Sequence, residues 1–334
     1  MARRVGGARS TLIAVLVAVA AAAPLTAHAQ PRAGKPARLG VLLNLYTPDD
    51  AGAPHALRQG LRELGYVEGQ NLVIDWRYQL GGDNRLRALA EELVRLKPDV
   101  IVADVTVSIR AAMQATSTVP IVMAISADAL GTGLVSNLGR PGKNVTGVTI
   151  MLAEMSAKRL QLLKEVVPNV SRVGVLWNPD LPWHKAMLQE VEAVAPSLRL
   201  QPIAIPVRDR GADLGKAFEE IARARVDALF VNEMMTPAAR RQLVDLAAKN
   251  RLPTVFMNRD YVAAGGLMSY APNYSDGFRQ AAQYVDKVLK GARPGDLPVE
   301  QPKKFEFVIN LKTAKTLGLT LSPSISARAD ELIQ

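Results

Sequence analysis

Apolar and polar positions follow two periods along this chain. Short continuous apolar runs rich in Val and Ile predict buried strands at Arg38–Asn44 (RLGVLLN), Asn71–Arg77, Asp99–Ala103 and Pro120–Ala124. Between these runs the apolar residues recur at helical spacing. Leu57, Leu61 and Leu64 share one face of a helix over Ala53–Leu64, and Leu86, Leu89, Ala90, Leu93 and Leu96 share another. Strands without a polar face, alternating with amphipathic helices, predict a parallel sheet covered on both sides.

The pattern then restarts. Arg172-Val-Gly-Val-Leu-Trp-Asn178 repeats Arg38-Leu-Gly-Val-Leu-Leu-Asn44 at an offset of 134. Val226–Val231 echoes Pro98–Val102, with Asp227 standing 128 residues after Asp99. Leu252–Met257 echoes Val119–Met123, with Pro253 standing 133 residues after Pro120. Three landmarks in one order predict two α/β lobes of like topology, and 334 residues suffice for both. Later, Ser275 and Asp276 open a helix with Phe278, Ala281, Ala282, Val285 and Leu289 on one face. Gly291 stands where a C-terminal glycine cap belongs. Phe305–Ile309 is one further strand.

The N-terminus changes the expected compartment. Arg3, Arg4 and Arg9 precede an apolar run from Leu12 to Ala23, followed by Ala27-His28-Ala29. This is the layout of a secretory signal peptide over residues 1–29, with a mature chain from Gln30 in a Gram-negative periplasm. Residues 30–37 read as a flexible lead-in. The formal net charge of +10 hints at nucleic acid, but Lys and Arg are interspersed with acids, so a solvated surface is expected and no nucleic-acid partner. Cysteine is absent and histidines number three, so neither a disulfide scaffold nor a His/Cys metal site is expected, and no cofactor is implied.

Ligands of open α/β sheets bind beyond the carboxyl ends of the strands. In the first lobe those ends carry Asn44, Tyr46, Thr106, Ser108 and Asp128; in the second, Trp177, Asn178, Glu233, Asn258 and Asp260. Tyr270 and Tyr274 flank a predicted crossing between lobes. The set holds amides, hydroxyls, carboxylates and aromatic rings, without a nucleophile–base pair. No GxSxG elbow, P-loop or dinucleotide fingerprint occurs. Thr106 and Ser108 at a helix N-terminus suit a ligand carboxylate, or one of them caps the helix. Asp128 accepts from a ligand ammonium, or is a turn residue. Tyr46, Trp177 and Tyr270 sandwich a flat ligand, or Trp177 belongs to the core. Glu233 and Asp260 bind a ligand amine or face water. Arg259 binds a carboxylate or pairs with a neighbouring acid.

Several longer segments carry a resemblance. They include GLRELGYVEGQNLVIDWRY (Gly60–Tyr78), GTGLVSNLGRPGKNVTGVT (Gly131–Thr149), KRLQLLKEVVPNVSRVGVLWNP (Lys158–Pro179) and LPVEQPKKFEFVINLKTAKTLGL (Leu297–Leu319). With them the chain resembles the bacterial ABC-transporter substrate-binding proteins that include tryptophan- and tyrosine-binding members. The resemblance implies a type I periplasmic binding fold, with two Rossmann-like lobes, parallel sheets flanked by helices and a hinged central cleft. It implies lobes at 38–149 plus about 274–306 and 150–271 plus about 307–334, with hinges near Thr149–Met151, Tyr270–Asn273 and Phe305–Asn310. It implies a monomer that captures a small-molecule ligand, such as an amino acid or aromatic carboxylate, for an inner-membrane ABC permease and its ATPase. It implies no chemistry on the ligand. Val105 departs from the pattern, standing where relatives carry the glycine of a Gly-Thr pair, and only Asp128 remains of a Gly-Asp-Pro triplet. A sensor that presents ligand to a membrane receptor, and an exported α/β enzyme, are the alternative functions.

Overall fold

The computed structural model describes residues 35–48, 52–79, 85–208, 213–232, 235 and 237–334. The expected signal peptide and Glu233 lie outside the described residues.

Two sheets organise the chain. The first contains β1 (Ala37–Leu43), β2 (Leu72–Tyr78), β3 (Val100–Ala103), β4 (Ile121–Ser126) and β5 (Val145–Thr149), in the order β2-β1-β3-β4-β5. Every pairing in it is parallel. Strands β3, β4 and β5 are buried along their whole length, as expected where helices cover both faces. Those helices are α1 (Ala53–Glu63), α2 (Leu86–Arg95) and α3 (Thr106–Ala115). Helix α1 buries Leu57 and Leu61, but Leu64 falls just past its end and is exposed, because the chain turns at Leu64-Gly65.

The second sheet repeats the order. It contains β6 (Arg172–Trp177), β7 (Gln201–Pro206), β8 (Ala228–Val231), β9 (Thr254–Phe256) and β10 (Met268–Pro272), followed by β11 (Phe305–Asn310) and β12 (Glu331–Ile333). The order is β12-β11-β10-β9-β8-β6-β7, so β7-β6-β8-β9-β10 matches the first sheet strand for strand. Among the described residues only β10 and β11 pair antiparallel. Around this sheet lie α4 (Leu152–Val166), α5 (Pro182–Val194), α6 (Leu214–Arg223), α7 (Pro237–Lys249) and α8 (Arg259–Ala263). The repeated aspartates do the same work in both lobes. Asp99 accepts from the Arg38 N–H at 2.8 Å, and Asp227 accepts from the Ser171 and Arg172 N–H groups at 3.0 and 2.8 Å. Both clamp the amino ends of the strands, away from the carboxyl ends where ligands bind.

The chain passes between the sheets three times. After β5 it enters α4 through Met151, a non-glycine residue in the left-handed region at φ 47°. After β10 it enters α9 (Tyr274–Leu289), which packs its Phe278, Ala281, Ala282 and Val285 against the core of the first sheet. Asn273 caps α9 by accepting from the Ser275 N–H at 2.9 Å. The following segment bridges Glu300 to Val148 beside β5, and the chain then returns to the second sheet as β11. Two short helices, α10 (Leu311–Thr316) and α11 (Pro323–Arg328), precede β12.

Candidate functional site

The carboxyl ends of the first sheet are tied together by one carboxylate. Asp104 follows β3 and is fully buried. Its carboxylate accepts from the Asn44 N–H at 2.7 Å, the Leu45 N–H at 2.9 Å, the Val105 N–H at 2.8 Å and the Ser108 hydroxyl at 2.6 Å. Burial raises the Asp104 carboxyl, and these four donors pull it the other way. Asn44 and Ser108 are thus brought together through Asp104. The single proton of Ser108 is committed inside the lobe, contrary to the expectation of a free donor. Thr106 is also buried, and its oxygen accepts from the Ala127 N–H at 3.2 Å, tying β3 to β4. Neither hydroxyl caps α3. Asp128 closes a turn, accepting from the Leu130 and Gly131 N–H groups at 3.1 and 2.8 Å.

The second lobe breaks this symmetry at the equivalent point. Asn232 follows β8 as Asp104 follows β3, and its N–H bonds the Leu176 carbonyl at 3.1 Å. The Asn178 N–H, the counterpart of Asn44, donates instead to His184 Nδ1 at 2.8 Å. Asn232 is fully buried, and both ends of its side-chain amide lack a partner. The Asn178 amide oxygen accepts from the Asp180 N–H at 3.0 Å. Trp177 is half-buried against the core beside α4 and α5, and its indole N–H also lacks a partner.

On the Phe230 face of the same sheet lies Arg159 of α4. It is fully buried, with its guanidinium 5.0 Å from the Phe230 ring. Its Nη2 reaches only the Ser156 hydroxyl, at 3.4 Å, and its Nε and Nη1 lack a partner. Burial lowers the guanidinium to about 10, still charged at neutral pH. Burial and the Arg159 charge push His184 down to about 3, so its imidazole is neutral and its Nδ1 accepts from Asn178. Arg159 also acts on the Tyr274 phenol, which burial pushes up to about 12. One sequence signal marks Arg159. It continues the stripe Met155, Leu163, Val166 on an otherwise apolar helix face, where a charge is out of place.

Aromatic residues of both lobes meet at the crossings. Tyr46, Trp183, Tyr270 and Tyr274 pack against one apolar cluster, which also holds Met155, Met187 and Met257 from the second lobe. Tyr46 meets Phe278 edge-on at 5.5 Å, and Tyr270 stacks on Phe305 at 5.7 Å. A cavity of about 220 Å³ lies beside them, lined in part by Tyr46, Asn258, Asp260, Asn273, Tyr274 and Glu306. Asn258 caps α8, accepting from the Asp260 N–H at 2.6 Å. Asp260 is exposed and pairs with Arg240 at 3.4 Å. Arg259 pairs with Glu331 at 2.7 Å, which leaves it a surface ion pair rather than a ligand group.

A profile described as ABC transporter substrate binding protein matches residues 48–333. The chain is 26% identical over 262 residues to the tyrosine-binding protein of Clostridioides difficile (strain R20291), covering 78% of this chain and 75% of that one. It superposes with a TM-score of 0.81 on an ABC domain from Streptococcus pneumonia solved in complex with L-Trp, at 27% identity, covering 90% of this chain and 100% of that one. A conserved domain protein from Vibrio cholerae O1 biovar eltor gives the same TM-score of 0.81 at 30% identity, covering 89% and 100%.

Proposed function

The chain belongs to the family of ABC transporter substrate-binding proteins, and from that premise we propose that it captures an aromatic amino acid between its two lobes and delivers it to a membrane permease. The observation that carries the reading is the convergence of aromatic side chains from both lobes on one cluster. Tyr46 follows β1 in the first lobe, Trp183 lies in the first turn of α5 in the second, and Tyr270 and Tyr274 flank the crossing between them. Rings placed on either side of a junction hold a flat side chain by stacking and by removing its apolar surface from water. The buried amides of Asn44, Asn178 and Asn232 stand at the strand ends nearby and suit the polar end of an amino acid. The L-Trp complex of one relative and the name of another favour the same ligand class.

Members of such a family bind solutes, and the same is proposed here: the ligand leaves unchanged. An export leader over residues 1–29 fits this role, since capture outside the inner membrane precedes import. The test is a thermal-shift panel of the twenty amino acids and small aromatic acids. At about a hundred times its dissociation constant a ligand adds roughly 2.7 kcal/mol of stability. L-tryptophan or L-tyrosine is expected to raise the melting temperature by several degrees while glycine and alanine do not. A panel in which no aromatic compound stabilises the protein contradicts the reading.

A further inference from the structure

We infer that Arg159, on the sheet face to which Asn232 also belongs, is the receptor for a carboxylate on the bound solute, which restricts the ligands of this protein to anions and zwitterions with a free carboxylate. The inference rests on the proposed capture of a solute between the lobes and names the group that holds its acidic end.

A guanidinium removed from water without a counter-charge is among the least favourable arrangements in a protein interior. Arg159 is 0% exposed, and among the described residues no carboxylate pairs with it. Its surroundings are the Phe230 ring, the neutral imidazole of His184, the Tyr274 phenol and the Ser156 hydroxyl. None of these compensates a positive charge fully. The unpartnered Nε and Nη1 lie on opposite sides of Nη2, so a carboxylate meets the guanidinium in two parallel hydrogen bonds through Nε with Nη2 or through Nη1 with Nη2, in place of the long 3.4 Å contact from Nη2 to Ser156.

The position of Arg159 points it at the junction. Met155 lies one helical turn earlier on the same stripe of α4 and packs into the cluster shared with the first lobe. Tyr274 opens α9 immediately after the second crossing, and its phenol feels the Arg159 charge. Side chains two apart on a strand share a face. Asn232 therefore stands on the Phe230 face, one step toward the carboxyl end, and Trp177 likewise follows Val175. An amide and an indole N–H without partners thus stand on one face at the carboxyl end of this sheet, and the buried cation packed on that face keeps two unpartnered nitrogens. The first lobe offers a contrast. There the equivalent position is Asp104, whose four donors satisfy it internally. The second lobe has transferred that structural task to His184, which leaves Asn232 free.

The test compares L-tryptophan and L-tyrosine with their C-terminal amides, by calorimetric titration of wild type, Arg159→Met and Arg159→Lys. Wild type is expected to bind each acid at least about thirty-fold more tightly than its amide, the loss typical of removing one partner from a buried charge pair. Arg159→Met is expected to lose most of its affinity for the acids and to bring the acid-to-amide ratio close to one. Arg159→Lys keeps the charge without the fork and is expected to fall between them, preference retained. Removing an unpaired buried cation is expected to leave the ligand-free melting temperature of Arg159→Met equal to or above wild type. Tight binding with the acid preference unchanged in Arg159→Met overturns this inference alone, as does equal binding of acid and amide by wild type. A large fall in melting temperature with the preference retained assigns Arg159 to the fold and also overturns it. Failure of wild type to bind any of the four compounds overturns the aromatic amino-acid reading, and this inference with it.

Discussion

His184 shows how one buried ring sets the behaviour of this protein in acid. Its Nδ1 accepts from the Asn178 N–H at 2.8 Å, which only the neutral imidazole does. Burial, and the Arg159 charge second, hold its folded value near 3, against an ordinary value of 6.5. The unfolded chain therefore takes up a proton as the pH falls through about 6.5, while the folded chain refuses it until about 3. Stability from His184 is complete above pH 6.5 and is lost progressively below it, on the order of several kcal/mol at most. His184→Gln keeps an acceptor for Asn178 but does not ionise. Melting temperatures measured from pH 7 to pH 4 are expected to fall more shallowly in this variant than in wild type. Parallel curves contradict the assignment. At this scale the sequence was only partly legible. The strand-end rule located Asn44, Tyr46 and Asn178 where both sheets end, but it does not say which side chains are already engaged. Ser108 reads as a ligand donor or a helix cap, and instead gives its proton to Asp104, while the Thr106 oxygen accepts from the Ala127 N–H. Arg159 and His184 lie on helices rather than at strand ends, so the rule passed over them.

Helix α9 is the element that ties the crossing chain to the first lobe, and glycines decide how closely it docks. A Cβ on Gly277 would lie 2.8 Å from Ile125 Cγ1 and 2.9 Å from the Ala124 carbonyl oxygen, so α9 sits almost against β4. A Cβ on Gly60 of α1 would lie 2.9 Å from that of Ala282 on α9. Gly277→Val forces the helix away from the sheet and is expected to cost about 1–3 kcal/mol. Gly215, within α6, has nothing within 4 Å of where its Cβ would stand. Gly215→Ala is expected to gain about 0.5–1 kcal/mol, because alanine loses less freedom on entering a helix. Chemical denaturation of the two variants reads both, and equal effects contradict this account of the α9 contact. The strands legible in advance were those read from apolar runs or their echoes: β1, β2, β3, β4, β6, β8, β9 and β11. Four strands lacked that signal. Strands β5, β7 and β12 are edge strands, and VTGVT, QPIAIP and ELI carry a glycine, two prolines or only three residues. Strand β10, MSYAP, is internal but has neither Val nor Ile, and tertiary pairing with β9 and β11 makes it a strand.

Across the whole molecule, the repeat seen in three short echoes proved to be the architecture. Sheet order β2-β1-β3-β4-β5 recurs as β7-β6-β8-β9-β10, and the echoes Arg38/Arg172, Asp99/Asp227 and Pro120/Pro253 mark equivalent strands. The periodicity alone did not announce the return of the chain through α9 and back through β11; the family resemblance implied it. A few connecting segments join lobes that otherwise keep separate sheets, and such an arrangement closes by hinge motion when a ligand bridges both sides. Met151, held at φ 47° between β5 and α4, is a strained point at the first of these crossings. In the arrangement described here, Met155, Met187 and Met257 of the second lobe already pack with the first. The direct measurement is small-angle X-ray scattering of protein freed of ligand by unfolding and refolding, with and without saturating L-tryptophan. The account predicts a larger radius of gyration without ligand, and a curve matching this structure only when L-tryptophan is bound. Saturated binding that leaves the scattering unchanged would place the ligand elsewhere than between the lobes and contradict the account.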